Sequence, residues 1–165
     1  MAKIRCRELG EIDPRDAEQV EMPEGLIGFE RHHSFLLCEH EEYEPFRWLV
    51  SMADPDLAFA LADPGYFVRE AYHLTLNEMD MDLLDLKEGD PLEVLVIVSI
   101  DEKTGWVVGD LKGPIIVNRR SGLARQILVY SARHSARQPM RLMKEPGEEG
   151  GRFETTVRIV DRRVA

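Results

Sequence analysis

A chain of 165 residues, 44% hydrophobic and 32% charged, suits one globular domain with a sizeable core, and none of its apolar runs approaches the ~20 residues of a membrane span. Its 21 Lys and Arg against 31 Asp and Glu give a net charge of −10, which disfavours nucleic acid and favours a basic protein partner. The opening MAKIRCRELGEI holds no apolar signal core, so a cytoplasmic location is expected.

Lys3–Glu8 alternates Ile4 and Cys6 against Arg5 and Arg7, predicting a half-buried first strand. Cys6 and Cys38 both fall among apolar neighbours, where a thiol acts as a small hydrophobe, and the expected compartment argues against joining them. Asp13-Pro14 and the cluster Met22–Phe29 are turns, the second with two glycines able to take positive φ. Short strands are predicted at Ser34–Cys38, Phe46–Met52 and Leu57–Ala62. The last lies between two Ala-Asp-Pro triplets, each a turn because proline bars the preceding residue from the α region. It would put Leu57, Phe59 and Leu61 on one face and three alanines on the other, a core strand with a flat side for a close neighbour or a face kept for another protein.

A short turn of helix is predicted at Phe67–Tyr72, and a fuller helix from an Asn77 cap, with Met79, Leu83 and Leu86 on its buried face and Gly89 as its stop. Strands follow at Leu92–Ile100, Thr104–Leu111, Pro114–Val117 and Ala124–Tyr130. So many short strands with frequent turns suggest a barrel or a sandwich. Lys144–Arg152 reads as an acidic, glycine-rich linker and Phe153–Val160 as a returning edge strand, giving a main unit over 1–140 and an extension over 141–165.

Charge is unevenly spread. Leu111 to Lys144 has no acidic residue and eight basic ones, leaving −18 for the rest. Tyr130 is that segment's only Phe, Trp or Tyr, whereas single-strand binding uses several stacking platforms, so the segment is expected to pack strands and meet an acidic surface, its own included. An RNA-binding module using residues 112–144 is one alternative reading.

Catalytic signatures are scarce: there is no nucleophile elbow, phosphate loop or dinucleotide turn. His32, His33, Cys38, Glu39, His40, Glu41 and Glu42 offer ligand types, but a strand at Ser34–Cys38 would hold its flanking imidazoles roughly 15 Å apart, so no metal is assigned. A metal-dependent enzyme or hydrolase around His32, His33 and Glu39 is the second alternative. Asp80, Asp82 and Asp85 lack the offsets of a calcium loop.

Three stretches taken together resemble one known family: MPEGLIGFE (22–30), WLVSMADPDLAFALADP (48–64) and DLKGPIIVNRRSGLARQILV (110–129). The resemblance is to FliW, the flagellar assembly factor, and runs from about Ile4 to Pro139. Asp110 stands where that family usually has Asn, and Gly113 where it usually has Ala. The resemblance implies a mainly β fold, a small closed or nearly closed β-barrel of short antiparallel strands with one or two short helices. It also implies a non-enzymatic protein without cofactors that binds flagellin before export and the translational repressor CsrA, taking CsrA off flagellin messenger until flagellin displaces it.

The residues offer candidates for such contacts. Exposed carboxylates at Glu39, Glu41, Glu42 and Glu44 would steer a basic partner, and Phe46, Trp48, Tyr66 and Phe67 are aromatics near turns, the residue type that anchors interfaces. Asn118 and Gln126 either satisfy buried backbone groups or meet a partner.

Overall fold

The computed structural model describes residues 3–141 and 152–159. In chain order its strands are β1 (Ile4–Cys6), β2 (Gly10–Ile12), β3 (Glu18–Glu21), β4 (Ser34–Glu39), β5 (Arg47–Ser51), β6 (Ala58–Ala62), β7 (Tyr72–Leu76), β8 (Leu92–Ile100), β9 (Val107–Gly109), β10 (Ile115–Asn118), β11 (Leu123–Gln126), β12 (Gln138–Pro139) and β13 (Thr155–Ile159), with one helix, α1 (Glu78–Leu83). Seven strands close a barrel in the order β8-β10-β11-β3-β4-β5-β6 and back to β8. Six of its seven pairings are antiparallel; β11 meets β3 in parallel, through the single bridge Leu123↔Glu21.

Strand alternation sorts the barrel's side chains into an interior and two outer layers. Inside lie Val20, Phe35, Leu37, Leu49, Leu61, Leu95, Ile115, Val117 and Ala124. On the outer face of β4 and β5, Leu36, Cys38 and Val50 are covered by the β1–β2 hairpin with Cys6 and Ile12. On the outer face of β8 and β10, Val94, Val96, Val98 and Ile116 are covered by β7 and α1 through Tyr72, Leu74, Leu76, Met81 and Leu84. These outer layers explain why strands of a barrel read as continuous apolar runs: both of their faces are buried.

The bracketed run at 57–62 falls in this scheme. Phe59 and Leu61 point to the barrel interior, while Ala60 and Ala62 lie against the outer cluster built on Tyr72 and Phe67. The flat face admits a layer of the same chain.

Two expectations need correction. No helix forms at Phe67–Tyr72: Asp63 caps a 3-10 turn at Pro64–Tyr66, accepting the Gly65 N–H at 2.8 Å, Phe67 is buried, and Tyr72 begins β7. Helix α1 starts at its Asn77 cap but stops at Leu83, ahead of Asp85 at φ 47°, and does not reach Gly89. Its inward face is Asp80, Met81 and Leu84, with Met79 left 60% exposed. The reason is a polar one: the Asp80 carboxylate accepts the Asn77 N–H at 2.9 Å and also meets Arg125 of β11, which turns that side of the helix inward.

The described part of the extension returns to the body. β13 runs parallel to β7 from Thr155↔Tyr72 to Ile159↔Leu76. Arg152 pairs with Asp63 at 2.7 Å, Phe153 N–H donates to Gly65 O at 3.0 Å, and the Arg141 guanidinium stacks over the Phe153 ring at 4.7 Å. Gly65 makes this possible, since a Cβ there would sit 2.2 Å from Phe153 O. Residues 144–151 of the expected linker and Val160 of the expected strand lie outside the described residues.

Candidate binding groove

A groove of about 440 Å³ opens where β11 leaves the barrel wall. One side is the loop Pro23–Glu30; the other is β11 with its continuation Ile127–Tyr130, and Thr75, Asn77, Asp80 and Leu83 complete it. Gly25 shapes the loop: its φ is +66°, and a Cβ there would lie 2.8 Å from Glu30 Cα and Phe29 O. The two sides are joined across 99 residues of sequence by the Gln126 side chain, whose Oε1 accepts the Ile27 N–H at 2.9 Å while its Nε2 donates to Gly113 O at 2.9 Å. Gly113 fits that contact, because a Cβ there would come within 2.8 Å of Gln126 Nε2. Asp110 accepts the Lys112 N–H at 3.0 Å, a turn that Asn could equally make.

The groove is floored by an ion pair. Arg125 donates from Nε to Asp80 at 2.6 Å and from Nη1 to Glu24 at 3.2 Å, with its side chain 18% exposed and that of Asp80 7%. Burial opposes the Arg125 charge, but the hydrogen bonds to Asp80 and Glu24 outweigh it and hold its pKa above the usual arginine value. Around the opening, Ile27, Met79, Leu128 and Tyr130 are exposed apolar groups.

Of the partner-binding candidates named from sequence, only Gln126 lines this groove. Glu39, Glu41, Glu42 and Glu44 are all exposed, around a 3-10 turn at Glu41–Tyr43. Phe46 and Tyr66 are half-buried against the outer cluster of β7, and Trp48 is half-buried over the β1–β2 layer, edge to face with Tyr43 at 5.7 Å. Phe67 is 1% exposed and Asn118 0%, so neither offers a surface in this conformation. Ile27, Leu128 and Tyr130 were missed. Their signal was present in the sequence, as apolar groups beside turn residues, but nothing local distinguishes an exposed one from a buried one.

The basic segment meets the chain's own carboxylates. Arg119 pairs with Glu18 and Glu93, Arg120 with Asp85 and Asp90, Arg125 with Asp80 and Glu24, Arg133 with Glu70, and Arg137 with Asp101. Much of its charge is thereby neutralised at home. The polar rim at 31–42 is likewise engaged locally: His32 Nδ1 lies 2.8 Å from Ser51 Oγ, His33 Nε2 2.8 Å from Glu30 O, and His40 Nδ1 accepts the Glu42 N–H. Cys38 and Cys6 are buried free thiols in one cluster, and burial pushes Cys38 up to about 11. No three His, Cys, Asp or Glu side chains among the described residues converge as metal ligands.

The Arg120–Asp90 pair sets a pH dependence. The Arg120 hydrogen bond at 2.6 Å is the chief cause holding the Asp90 carboxyl at about 2; desolvation opposes it, and the Lys87 N–H and Asn118 amide assist. An unfolded Asp titrates near ~3.9, so the folded state binds the proton less readily and this contribution is complete above about pH 4. It is lost as pH falls towards 2. Urea titrations from pH 6 to pH 2 should show stability declining through that window, and Asp90→Asn should flatten the decline.

The sequence model of the FliW protein family matches residues 3–140. The chain belongs to the FliW family. Among FliW relatives, the flagellar assembly factor of Desulfitobacterium hafniense (strain Y51) is 33% identical over 154 residues, covering 91% of this chain and 99% of that protein. The flagellar assembly factor of Geotalea uraniireducens (strain Rf4) is 32% identical over 153 residues, covering 90% of each. The crystal structure of a flagellar assembly factor FliW superposes with a TM-score of 0.74 over 84% of this chain and 96% of that one, at 22% identity, and shares the fold. Among the described residues no helix is long and apolar enough to cross a membrane.

Proposed function

We propose that this protein is a cytoplasmic flagellar assembly factor that acts by binding rather than by turnover, engaging flagellin before its export and the translational repressor CsrA in exchange. Bound to CsrA, it relieves repression of flagellin translation; flagellin, once accumulated, takes its place and frees CsrA. Such a switch requires each partner to lower the affinity for the other by the same factor.

What carries this reading is the convergence of two family-like stretches, 22–30 and 110–129, on one groove through the Ile27–Gln126 hydrogen bond. Folding alone does not require those stretches to leave an apolar opening ringed by Ile27, Leu128 and Tyr130. The net charge of −10 and the exposed Glu39, Glu41, Glu42 and Glu44 suit a basic RNA-binding partner, with charge acting mainly on encounter rate.

Calorimetry of the purified protein with CsrA and, separately, with flagellin should give one-to-one binding to each, and prior loading with one should weaken the other. No heat with either at micromolar concentration defeats the proposal. Changing the four glutamates together to lysine should slow CsrA association and flatten its salt dependence, whereas rates unchanged across salt remove that patch from the encounter.

A further inference from the structure

The barrel wall is left unfinished beside the groove. β3 pairs with β11 at one bridge only, and after Glu21 the chain turns away at Met22-Pro23. Beyond Ala124, β11 and its continuation therefore lack a strand on that side among the described residues. At the first step a side chain substitutes, Gln126 Oε1 taking the Ile27 N–H. Beyond it, among the described residues, nothing does.

The hydrogen bonds identify the free edge. Ile127 N–H donates to Pro114 O at 2.9 Å and Val129 N–H to Lys112 O at 2.8 Å, so residues 127 and 129 face the strand already in place. In an extended chain the next residues face the opposite way. Among the described residues, neither the Leu128 nor the Tyr130 amide donates to the protein. Both residues line the groove, with Leu128 54% and Tyr130 86% exposed. Across the opening stands β7, whose Tyr72 N–H is turned towards Glu154 in the extension; alternation then turns the Thr75 backbone away from β13, and Thr75 lines the groove.

We propose that the groove binds an extended, basic and apolar peptide segment, which adds a strand to the free edge at Leu128–Tyr130. Unpaired strand edges are templates for another strand, and main-chain pairing supplies affinity while alternate side chains supply selection. The charge on the groove selects the occupant: three carboxylates, Glu24, Glu30 and Asp80, line it against one guanidinium, Arg125. Apolar side chains of the segment meet Ile27 and Leu128, and its Lys or Arg side chains meet Glu24 and Glu30. The proposal rests on the partner-binding reading above only in taking the occupant to be a polypeptide.

The test uses the full chain and a capped nine-residue peptide of alternating Lys and Val, followed by fluorescence anisotropy. Expected is saturable binding below millimolar concentration, weakened about tenfold when alternate peptide amides are N-methylated to remove one row of donors. The same peptide with Glu for Lys should not bind. Leu128→Pro deletes an edge amide and spares the Ile127 and Val129 bonds, so it should abolish binding, while Leu128→Ala keeps the amide and should lose only part. If Leu128→Pro fails to fold, Tyr130→Pro and the N-methylated peptide on the unaltered protein pose the same question. No binding of the Lys-Val peptide, stronger binding of a helix-forming Lys-Leu-Ala peptide, or indifference to both edge proline and N-methylation overturns the proposal. Because no flagellar protein is used, such a failure leaves the calorimetric result with CsrA and flagellin standing on its own.

Discussion

Asp80→Ala is expected to cost about 3–5 kcal/mol of folding stability, because it strands a largely buried guanidinium. Asp80 is 5% exposed and meets Arg125 Nε at 2.6 Å; without it, the carboxylate left to Arg125 among the described residues is that of Glu24, whose own side chain is 60% exposed. The same substitution removes half of the capping box at the start of α1, since Asp80 also accepts the Asn77 N–H. Asp80→Asn separates the two losses by retaining a cap acceptor without the charge, and should be the milder variant. Arg125→Met in the Asp80→Ala background should recover part of the loss, as replacing a whole buried pair is cheaper than halving it. Urea unfolding of the four proteins measures this directly. A cost below about 1 kcal/mol for Asp80→Ala would mean that the pair behaves as a solvated surface contact.

Asn118→Ala is expected to lower stability by about 2–4 kcal/mol, because it removes three hydrogen bonds made by a fully buried side chain and leaves a void in its place. Its Nδ2 donates to Leu84 O at 3.0 Å and to Asp90 at 2.9 Å, and its Oδ1 accepts the Arg120 N–H at 3.1 Å. One side chain at the end of β10 thus ties down the end of α1, the Asp90 turn and the β10–β11 turn. Gln126→Ala should cost less in stability and more in binding, since Gln126 is half-buried and braces the groove rather than the core. Chemical denaturation beside partner calorimetry separates the two: a normally stable Asn118→Ala protein that no longer binds would return Asn118 to the surface role.

Most barrel strands were legible because their residues carry the signal locally. Ser34–Cys38, Phe46–Met52, Leu57–Ala62 and Leu92–Ile100 are apolar runs between turn residues, and each contains or overlaps an observed strand closely. β3, with Glu18, Gln19 and Glu21 around Val20, was not legible: a single buried side chain gives no period. β7 carries a local signal, since Tyr72, Leu74 and Leu76 alternate with exposed His73 and Thr75, but it is too short to stand out beside the helical turn expected at Phe67–Tyr72. In α1 the cap was readable from Asn77 and Asp80, whereas the buried face was not, since Arg125, 45 residues away, decides it.

The amino-acid order alone determined the class of fold, the absence of the common catalytic motifs, the lopsided charge and the resemblance to FliW, since composition, turn chemistry and short motifs act over a few residues. Which apolar groups stay in water, which arginines are neutralised and where the barrel wall stays open were decided only by tertiary structure. Each depends on partners brought together from distant parts of the chain: Ile27 with Gln126, Asp80 with Arg125, β3 with β11 at one bridge. Burial and pairing are properties of those meetings, and no local window of sequence contains them.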